Sequence, residues 1–295
     1  MKRLERIMNQ NTNQPNIQEY FGIVVIVDAL GASNYSIEDC RKFLADLEEI
    51  DSLKEKFLTI FHPEPKENEW QGARILSQTM KNAKTSQFGD TIILAFPIED
   101  QYNCENLTIT YFVASYLCGL IVQGLVHKIP FRGAISVGNF LWEDSNERIL
   151  GPAIADASKW CDATEWVGII FSPKANYWLS TLIEKTKTIP EGALLLTCYD
   201  NFICKYKAPL KVPLKEPPNS YDNLEYFFVV AWPSFLHYCQ IENKQNQKSE
   251  QLCGTSLFEK ILSDIPKPKG TELKYKNSVE FFNWYGTVVK KSHNR

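Results

Sequence analysis

The chain has 295 residues, 44 % of them hydrophobic, and a formal net charge of −3. That length can bury a full core in one large domain or two small ones, and the mixed, aromatic-rich composition excludes wholesale disorder. The balanced charge gives no overall basic field, so we expect no nucleic-acid partner.

The N-terminal residues and the cysteines indicate the cellular compartment. The polar start has no apolar signal-peptide core, which predicts a cytoplasmic chain. The 8 cysteines form no C-x-x-C pair and the 4 histidines are scattered, so the sequence shows no zinc cluster. Because most cysteines lie in apolar stretches, we interpret them as reduced core residues.

The first predicted elements are a strand and two helices. A continuous β-branched run over 21–28 is typical of a central strand covered on both faces. A capping box at Ser36–Asp39 begins a helix that runs to about residue 61, and a second helix follows a linker, over 70–82. The segment 88–96 predicts a hairpin with its turn at Gly89-Asp90.

The uncharged run over residues 107–126 is long enough for a membrane span. Hydroxyl side chains, a glutamine and two glycines within the run, and the lack of a second such run, favour a helix buried between a sheet and a partner element. We therefore expect no stable membrane insertion, with a membrane helix as the alternative.

The remaining pattern alternates strands and helices. It predicts strands over 131–138, 167–171, 193–205 and 226–232, helices over 153–161, 173–185, 256–264 and 278–290, and a polar loop over 240–252. This order predicts an α/β sandwich whose sheet mixes parallel and antiparallel neighbours.

Two acids lie against apolar strands. Asp28 ends the first strand near Gly31, and Asp90 follows Gly89 in the hairpin turn. If these strands are neighbours, an unpaired carboxylate at the sheet centre would be costly, whereas two together could hold magnesium against a substrate phosphate. The alternative is that Asp28 caps the following helix and Asp90 occupies an ordinary turn position.

Other nucleotide and hydrolase motifs are missing from the sequence. There is no G-x-x-x-x-G-K-S/T, no G-x-G-x-x-G after the first strand and no G-x-S-x-G. A P-loop NTPase, a dinucleotide-binding fold and a hydrolase nucleophile elbow are therefore unsupported.

Four segments in the same order resemble motifs of the class III nucleotidyl cyclases. Residues 28–33, Asp-Ala-Leu-Gly-Ala-Ser, are similar to their D-I-x-G-F-T segment, and residues 88–91 resemble their I-G-D turn. Residues 132–138 resemble their R-x-G-I-x-x-G strand, and residues 151–159 their G-x-x-V-N-x-A-x-R helix. Together the four motifs cover about residues 20–235.

This resemblance implies an α/β (α+β) fold built on a ferredoxin-like βαββαβ palm, a mixed sheet flanked by helices. It divides the chain into a polar N-terminal tail over 1–18, a cyclase domain over 19–235 and a C-terminal helical extension over 236–295. It also implies a homodimer whose subunits pair head to tail, with each site formed across the interface.

By the same resemblance, Asp28 and Asp90 would hold two Mg²⁺ or Mn²⁺ ions, with the Ala29 carbonyl assisting and Gly31 against the substrate. One ion would lower the pKa of the ribose 3′-hydroxyl and the other would bind the triphosphate, so that the hydroxyl attacks the α-phosphorus in line and expels pyrophosphate. Lys159, from the partner subunit, stands where the family has its transition-state arginine. It supplies the charge without the bidentate fork, and a solvated helix lysine is the alternative.

The sequence departs from the family at the ribose and base positions. Ala155 replaces the ribose-orienting asparagine, a role that could move to Asp156 or Asn139. The base-recognition positions hold Ser86 and Arg148, where adenylate cyclases place lysine and aspartate and guanylate cyclases glutamate and cysteine. Because an arginine only donates hydrogen bonds, Arg148 suits the carbonyl oxygens of uracil, and a surface arginine is the alternative.

A cyclase core without purine-recognition residues resembles the pyrimidine cyclases of bacterial Pycsar anti-phage defence, which make cyclic UMP or cyclic CMP for a separate effector protein. The resemblance thus implies conversion of UTP to cyclic UMP and pyrophosphate, with Asp28, Asp90 and Lys159 as catalytic residues. The alternatives are a cytidylate cyclase, a purine cyclase with relocated base contacts, and a catalytically silent nucleotide-binding module. Retention of both acids argues against the silent module.

Overall fold

The protein is described by a computed structural model that covers residues 16–31, 36–60, 71–101, 103–189, 196, 199–211, 226–235, 255–265, 267 and 270–292. The predicted linker after the first helix, the polar loop over 240–252 and residues 1–15 of the predicted tail lie outside these ranges.

The fold is centred on a mixed sheet. Its strands are β1 (Ile17–Ala29), β2 (Lys84–Phe88), β3 (Thr91–Pro97), β4 (Phe131–Glu143), β5 (Arg148–Leu150), β6 (Gly168–Phe171), β7 (Ile203–Tyr206) and β8 (Phe227–Val230). The helices are α1 (Ile37–Ile60), α2 (Gln71–Lys81), α3 (Glu105–Val126), α4 (Pro152–Ala163), α5 (Pro173–Thr186), α6 (Tyr199–Phe202), α7 (Thr255–Asp264) and α8 (Glu272–Ser292).

The strand order confirms the predicted fold class. The described strands run β2-β3-β1-β4-β6-β8-β7, with β5 paired to β4. The first four, with helices between β1 and β2 and between β3 and β4, form the ferredoxin-like βαββαβ arrangement. Strands β4 and β6 pair in parallel, whereas β1 pairs antiparallel with both β3 and β4. The sheet is therefore mixed, as predicted.

Strand β1 occupies the centre because its side chains suit burial on both faces. Ile23, Val25 and Val27 on one face, and Val24 on the other, are fully buried. The β-branched run thus predicted a central strand correctly, and the strand extends a few residues beyond the run at its N-terminal side.

One face of the sheet is covered by α4. Ser136, opposite Val24 in the register, donates a hydrogen bond from its hydroxyl to the Asp156 carboxylate of α4 at 2.6 Å. Side chains alternate between faces along a strand, so Asp28, an even number of residues from Val24, lies on this same face. The end of β1 therefore presents Asp28 on the α4 side of the sheet.

Helix α3 is the apolar run that has the length and composition of a membrane span, and it is the one such helix in the described part of the chain. In the structure, 72 % of its most apolar stretch is buried inside the protein. It packs against α1, α2 and α5, so its apolar surface is explained by contacts within the fold.

Helix α8 docks on the segment between α4 and β6. Ser278 accepts a hydrogen bond from the backbone N–H of Val167 at 2.8 Å, and the Asn277 amide donates to the Glu165 carbonyl at 2.6 Å. The ring of Phe281 meets Trp166 edge-on, with 4.9 Å between centroids. The second helix of the predicted extension thus packs on the sheet domain.

The structure differs from the sequence expectations in two elements. Strand β5 is absent from the predicted elements, and it pairs with the end of β4. The predicted strand over 193–205 holds the short helix α6 before β7, because the described strand pairing with β8 begins only at Ile203.

Candidate active site

Asp28 is held by side chains from both neighbouring strands. Thr91 of β3 and Arg132 of β4 are its register partners. Arg132 donates from Nε and Nη2 to the same carboxylate oxygen, Oδ2, at 3.0 and 2.8 Å, and the Thr91 hydroxyl donates to Oδ1 at 3.2 Å. These donors fix the orientation of the carboxylate.

Asp90 lies beside this carboxylate, in the turn between β2 and β3. The backbone N–H of Ala29 donates to the Asp90 carbonyl at 3.2 Å, which ties the turn to the end of β1. Gly89 has a φ of 60°, which a glycine adopts without strain. Burial, and then the negative charge of Asp28, raises the pKa of the Asp90 carboxyl above its ordinary value. The expectation that the two strands are neighbours is confirmed, and the two acids act on each other.

A divalent cation fits this pair chemically. Magnesium binds through one or two carboxylates and completes its shell with water and substrate phosphates. Asp28 and Asp90 offer that donor set. Burial, and then the charge of Asp28, raises the pKa of the Asp90 carboxyl, and a bound cation would relieve the repulsion between the two carboxylates. Within the described residues, no group of three or more His, Cys, Asp or Glu side chains forms a larger metal cluster.

Arg132 links Asp28 to helix α4. Besides its bonds to Asp28, its Nη2 donates to Asp162 at 3.0 Å, and its side chain is 12 % exposed. Its Nη1 is buried without a hydrogen-bond partner in the described part of the chain. Arg132 belongs to one of the four sequence motifs, but the motif alone did not assign it a role. Its role becomes visible from the strand register, which places it directly opposite Asp28.

Helix α4 presents the remaining predicted catalytic residue to solvent. Lys159 and Ala155 are exposed, and Lys159 lies one turn before Asp162. The structure therefore places Lys159 on the outer side of a helix that contacts Arg132, and not in a closed pocket of its own chain.

The two candidates for the ribose-orienting role lie on different faces. Asp156 faces the sheet and accepts the Ser136 hydroxyl, on the face that holds Asp28. Asn139 pairs with Phe21 in the register, which places it on the opposite face, and its amide donates to Glu19 at 3.2 Å.

The two predicted base-recognition residues lie on different strands. Ser86 is half-buried on β2, and the register through Ile93 and Ile26 places it on the same face as Asp28. Arg148 lies on β5 with its side chain 74 % exposed, and one guanidinium nitrogen is 3.7 Å from a Glu143 oxygen.

A lysine that the sequence analysis missed lies on the same strand as Ser86. The Lys84 ammonium is 3.3 Å from Asp144 Oδ1 and 5.4 and 5.9 Å from the ring centroids of Trp142 and Tyr20. Because 60 residues separate Lys84 from Asp144, no local pattern in the sequence signals this lysine–aspartate pair.

Comparisons with known proteins give matches among solved structures. No protein-family model matches the sequence. No curated protein matches it either. Among solved structures, the chain is similar to the catalytic core of a rhodopsin-guanylyl cyclase with converted specificity in complex with ATPalphaS, with 11 % sequence identity and a TM-score of 0.42. The match covers 73 % of this chain and 97 % of that one.

Proposed function

We propose that this protein is a nucleotidyl cyclase that converts UTP to 3′,5′-cyclic UMP and pyrophosphate. The observation that carries the proposal is the pair Asp28 and Asp90, which converge from neighbouring strands at the centre of a ferredoxin-like sheet. The order of the four sequence motifs supports it. In this proposal the cyclase domain spans 19–235, after a tail over 1–18, and 236–295 form a helical extension.

Asp28 and Asp90 would hold Mg²⁺ or Mn²⁺, with the Ala29 carbonyl assisting and Gly31, at a φ of 93°, shaping the turn against the substrate. When bound, such ions neutralise triphosphate charge and make the ribose 3′-hydroxyl more acidic. Arg132 supports this role because its two hydrogen bonds hold the Asp28 carboxylate in a fixed orientation.

The chain's own residues would bind and stabilise the reacting phosphate. The ribose 3′-hydroxyl attacks the α-phosphorus in line, and pyrophosphate leaves. Lys159 would place its positive charge on the developing anion in the site of a partner subunit, as a homodimer with interface sites requires. Its exposure on the outer side of α4 is consistent with such a contribution in trans.

Uracil recognition rests on Arg148 and Ser86. The exposed Arg148 guanidinium donates hydrogen bonds and can address the two carbonyl oxygens of uracil, while the half-buried Ser86 hydroxyl can donate or accept. The further steps of the proposal are a cytoplasmic cyclic UMP signal and a separate effector protein that binds it in anti-phage defence.

A second candidate function, an adenylate cyclase with relocated base contacts, is favoured by one observation. Lys84, on the same strand as Ser86, forms a pair with Asp144, which lies in the turn that precedes the strand of Arg148. Lysine and aspartate are the residue types that adenylate cyclases use for adenine, so this pair could take that role from Ser86 and Arg148.

One experiment separates these functions. The protein is incubated with ATP, GTP, CTP and UTP separately, with Mn²⁺, and the products are identified by mass spectrometry. We expect cyclic UMP from UTP. Cyclic AMP as the main product would favour the Lys84–Asp144 alternative, and cyclic CMP the cytidylate one. Nucleotide binding without any cyclic product would favour the silent module.

A further inference from the structure

Arg132 contacts Asp28 through one carboxylate oxygen only. Its Nε and Nη2 both donate to Oδ2, at 3.0 and 2.8 Å. An arginine frequently pairs with a carboxylate as a fork, with one nitrogen on each oxygen. Here the second oxygen, Oδ1, accepts only the Thr91 hydroxyl, at 3.2 Å, among the described residues. Because a carboxylate oxygen has two acceptor sites, Oδ1 keeps one of them for another ligand.

Asp162 of α4 holds the same guanidinium from the solvent side. The Nη2 atom that donates to Asp28 also donates to Oδ1 of Asp162, at 3.0 Å. The Asp162 side chain is 69 % exposed, whereas that of Arg132 is 12 % exposed. Nη2 carries two hydrogens, so each of the two carboxylates can take one of them. Asp162 therefore fixes the end of the guanidinium that faces Asp28.

Helix α4 is anchored at this point, which gives Asp162 a defined position. The thiol of the buried Cys161 donates to the Arg132 carbonyl, with 3.9 Å between sulfur and oxygen. The hydroxyl of Thr164, which follows the helix, donates to the Cys161 carbonyl at 2.9 Å. One residue of α4 thus contacts the backbone of Arg132, and the next residue contacts its side chain.

We propose that Asp162 is a positioning residue, which holds Arg132 against Oδ2 of Asp28 and so leaves Oδ1 open to a divalent cation. This inference rests on the proposed function, because that function assigns the cation to Asp28. Without Asp162, one hydrogen of Nη2 loses its acceptor, and the guanidinium can rotate into a fork on both oxygens of Asp28. A cation would then have to displace one arm of the fork, against a positive charge that Asp162 no longer offsets.

The test measures binding of Mn²⁺ to the full-length protein, without nucleotide, by electron paramagnetic resonance of the free ion. We expect Asp162→Ala to weaken Mn²⁺ binding about tenfold. Asp162→Asn should retain most of the affinity, because its amide oxygen still accepts from Nη2. Since an exposed ion pair contributes little to stability, both variants should melt within ~2 °C of the wild type.

The matched control is Glu184→Ala on α5. The Glu184 side chain is 71 % exposed and pairs with Lys187 at 2.6 Å, so this variant removes a similarly exposed carboxylate from an ion pair. Its Mn²⁺ affinity should equal that of the wild type. If the wild type cyclises a nucleotide, Asp162→Ala should also raise the Mn²⁺ concentration for half-maximal rate about tenfold, with a smaller change in kcat at saturating Mn²⁺.

The outcomes separate this inference from the proposed function. Equal Mn²⁺ affinity of Asp162→Ala and wild type would overturn the role of Asp162, even if the wild type makes a cyclic nucleotide. An Asp162-dependent affinity in a protein that makes no cyclic product would support the inference and refute cyclisation. A wild type that binds no Mn²⁺ would overturn both the inference and the metal role of Asp28.

Three further results would also overturn the inference. Equal losses of affinity in Asp162→Ala and Asp162→Asn would show that the lost charge, and not the held guanidinium, is the cause. Equal losses in Asp162→Ala and Glu184→Ala would show a general effect of surface charge. A fall in the melting temperature of Asp162→Ala well beyond that of Asp162→Asn would assign Asp162 to the stability of the fold.

Discussion

Arg132 donates two hydrogen bonds to a single carboxylate oxygen of Asp28, Oδ2, at 3.0 and 2.8 Å. The guanidinium is largely buried, with 12 % of the side chain exposed. Removing the carboxylate would leave a buried cation without its main partner, which is strongly destabilising. Asp28 therefore has two separable functions, the stability of this part of the sheet and the proposed binding of metal ions.

Asp28→Asn separates these functions better than Asp28→Ala. The asparagine keeps an oxygen that can accept from Arg132 but lacks the negative charge. We expect product formation to fall at least ~100-fold and Mn²⁺ affinity to fall with it. Mass spectrometry measures the product and electron paramagnetic resonance the free Mn²⁺. Asp28→Ala should lower the melting temperature more than Asp28→Asn, and unchanged Mn²⁺ binding in both would refute the metal role.

Asp90→Asn should stabilise the metal-free protein at neutral pH. Burial, and then Asp28, raises the pKa of Asp90, so ionisation is less favourable in the folded than in the unfolded chain. Stability is therefore lost as the pH rises from the ordinary carboxyl pKa through the raised one, and the loss persists at pH 7. We expect a melting temperature ~1–2 °C higher than wild type at pH 7, and no gain well below the ordinary pKa.

The response of the melting temperature to divalent ions should distinguish Asp90→Asn from the wild type. Addition of Mn²⁺ should raise the melting temperature of the wild type but not of the variant, because the cation relieves a repulsion that the variant lacks. Asp264 is an exposed aspartate on α7, and Asp264→Asn serves as the control. It should change neither the melting temperature in metal-free buffer nor the response of the melting temperature to Mn²⁺. A variant that melts below wild type in metal-free buffer would contradict the repulsion between Asp28 and Asp90.

Lys159→Ala should lower kcat with little effect on KM. A charge that acts on the developing anion stabilises the transition state more than the bound substrate, so we expect a loss of about 100-fold in kcat. Lys159→Arg should match or exceed the wild type because it restores a bidentate fork. Steady-state kinetics with the preferred nucleotide measures both, and Lys187→Ala, an exposed lysine paired with Glu184, is the control. Equal kcat in Lys159→Ala and Lys187→Ala would assign the cationic role to another residue.

Ser278→Ala should weaken the docking of α8 and the whole fold. The backbone N–H of Val167 is buried, and Ser278 is its acceptor at 2.8 Å. Loss of that acceptor costs about 1–3 kcal/mol, which lowers the melting temperature by about 2–8 °C. Differential scanning calorimetry measures the shift. Thr287→Ala on the exposed side of α8 should shift it far less, and equal shifts would show that Ser278 has no special role.

The sequence predicted those strands and helices whose own residues show a characteristic pattern. The β-branched run predicted β1, and the glycine in the turn predicted the hairpin of β2 and β3. Strand β5 could not be predicted, because its three residues have no apolar alternation and are held by pairing with β4. Local propensity does not encode such tertiary pairing.

The candidate site could be predicted in part for the same reason. Asp28 and Asp90 each end or adjoin an apolar strand, so their convergence followed once the strands were taken as neighbours. The contacts of Arg132 with Asp162, and of Lys84 with Asp144, depend on sheet register and on where α4 and β4 end. Neither can be found from spacing within one sequence.

The hydrogen bond between Val167 and Ser278 joins residues 111 positions apart in the chain. During synthesis on the ribosome, the β6 segment emerges long before its partner on α8 is translated. Until then, the backbone N–H of Val167 has to remain hydrated. A chain that ends before residue 278 would contain Asp28 and Asp90 but would lack the acceptor for the Val167 amide. Premature termination should therefore give an inactive product that proteases degrade.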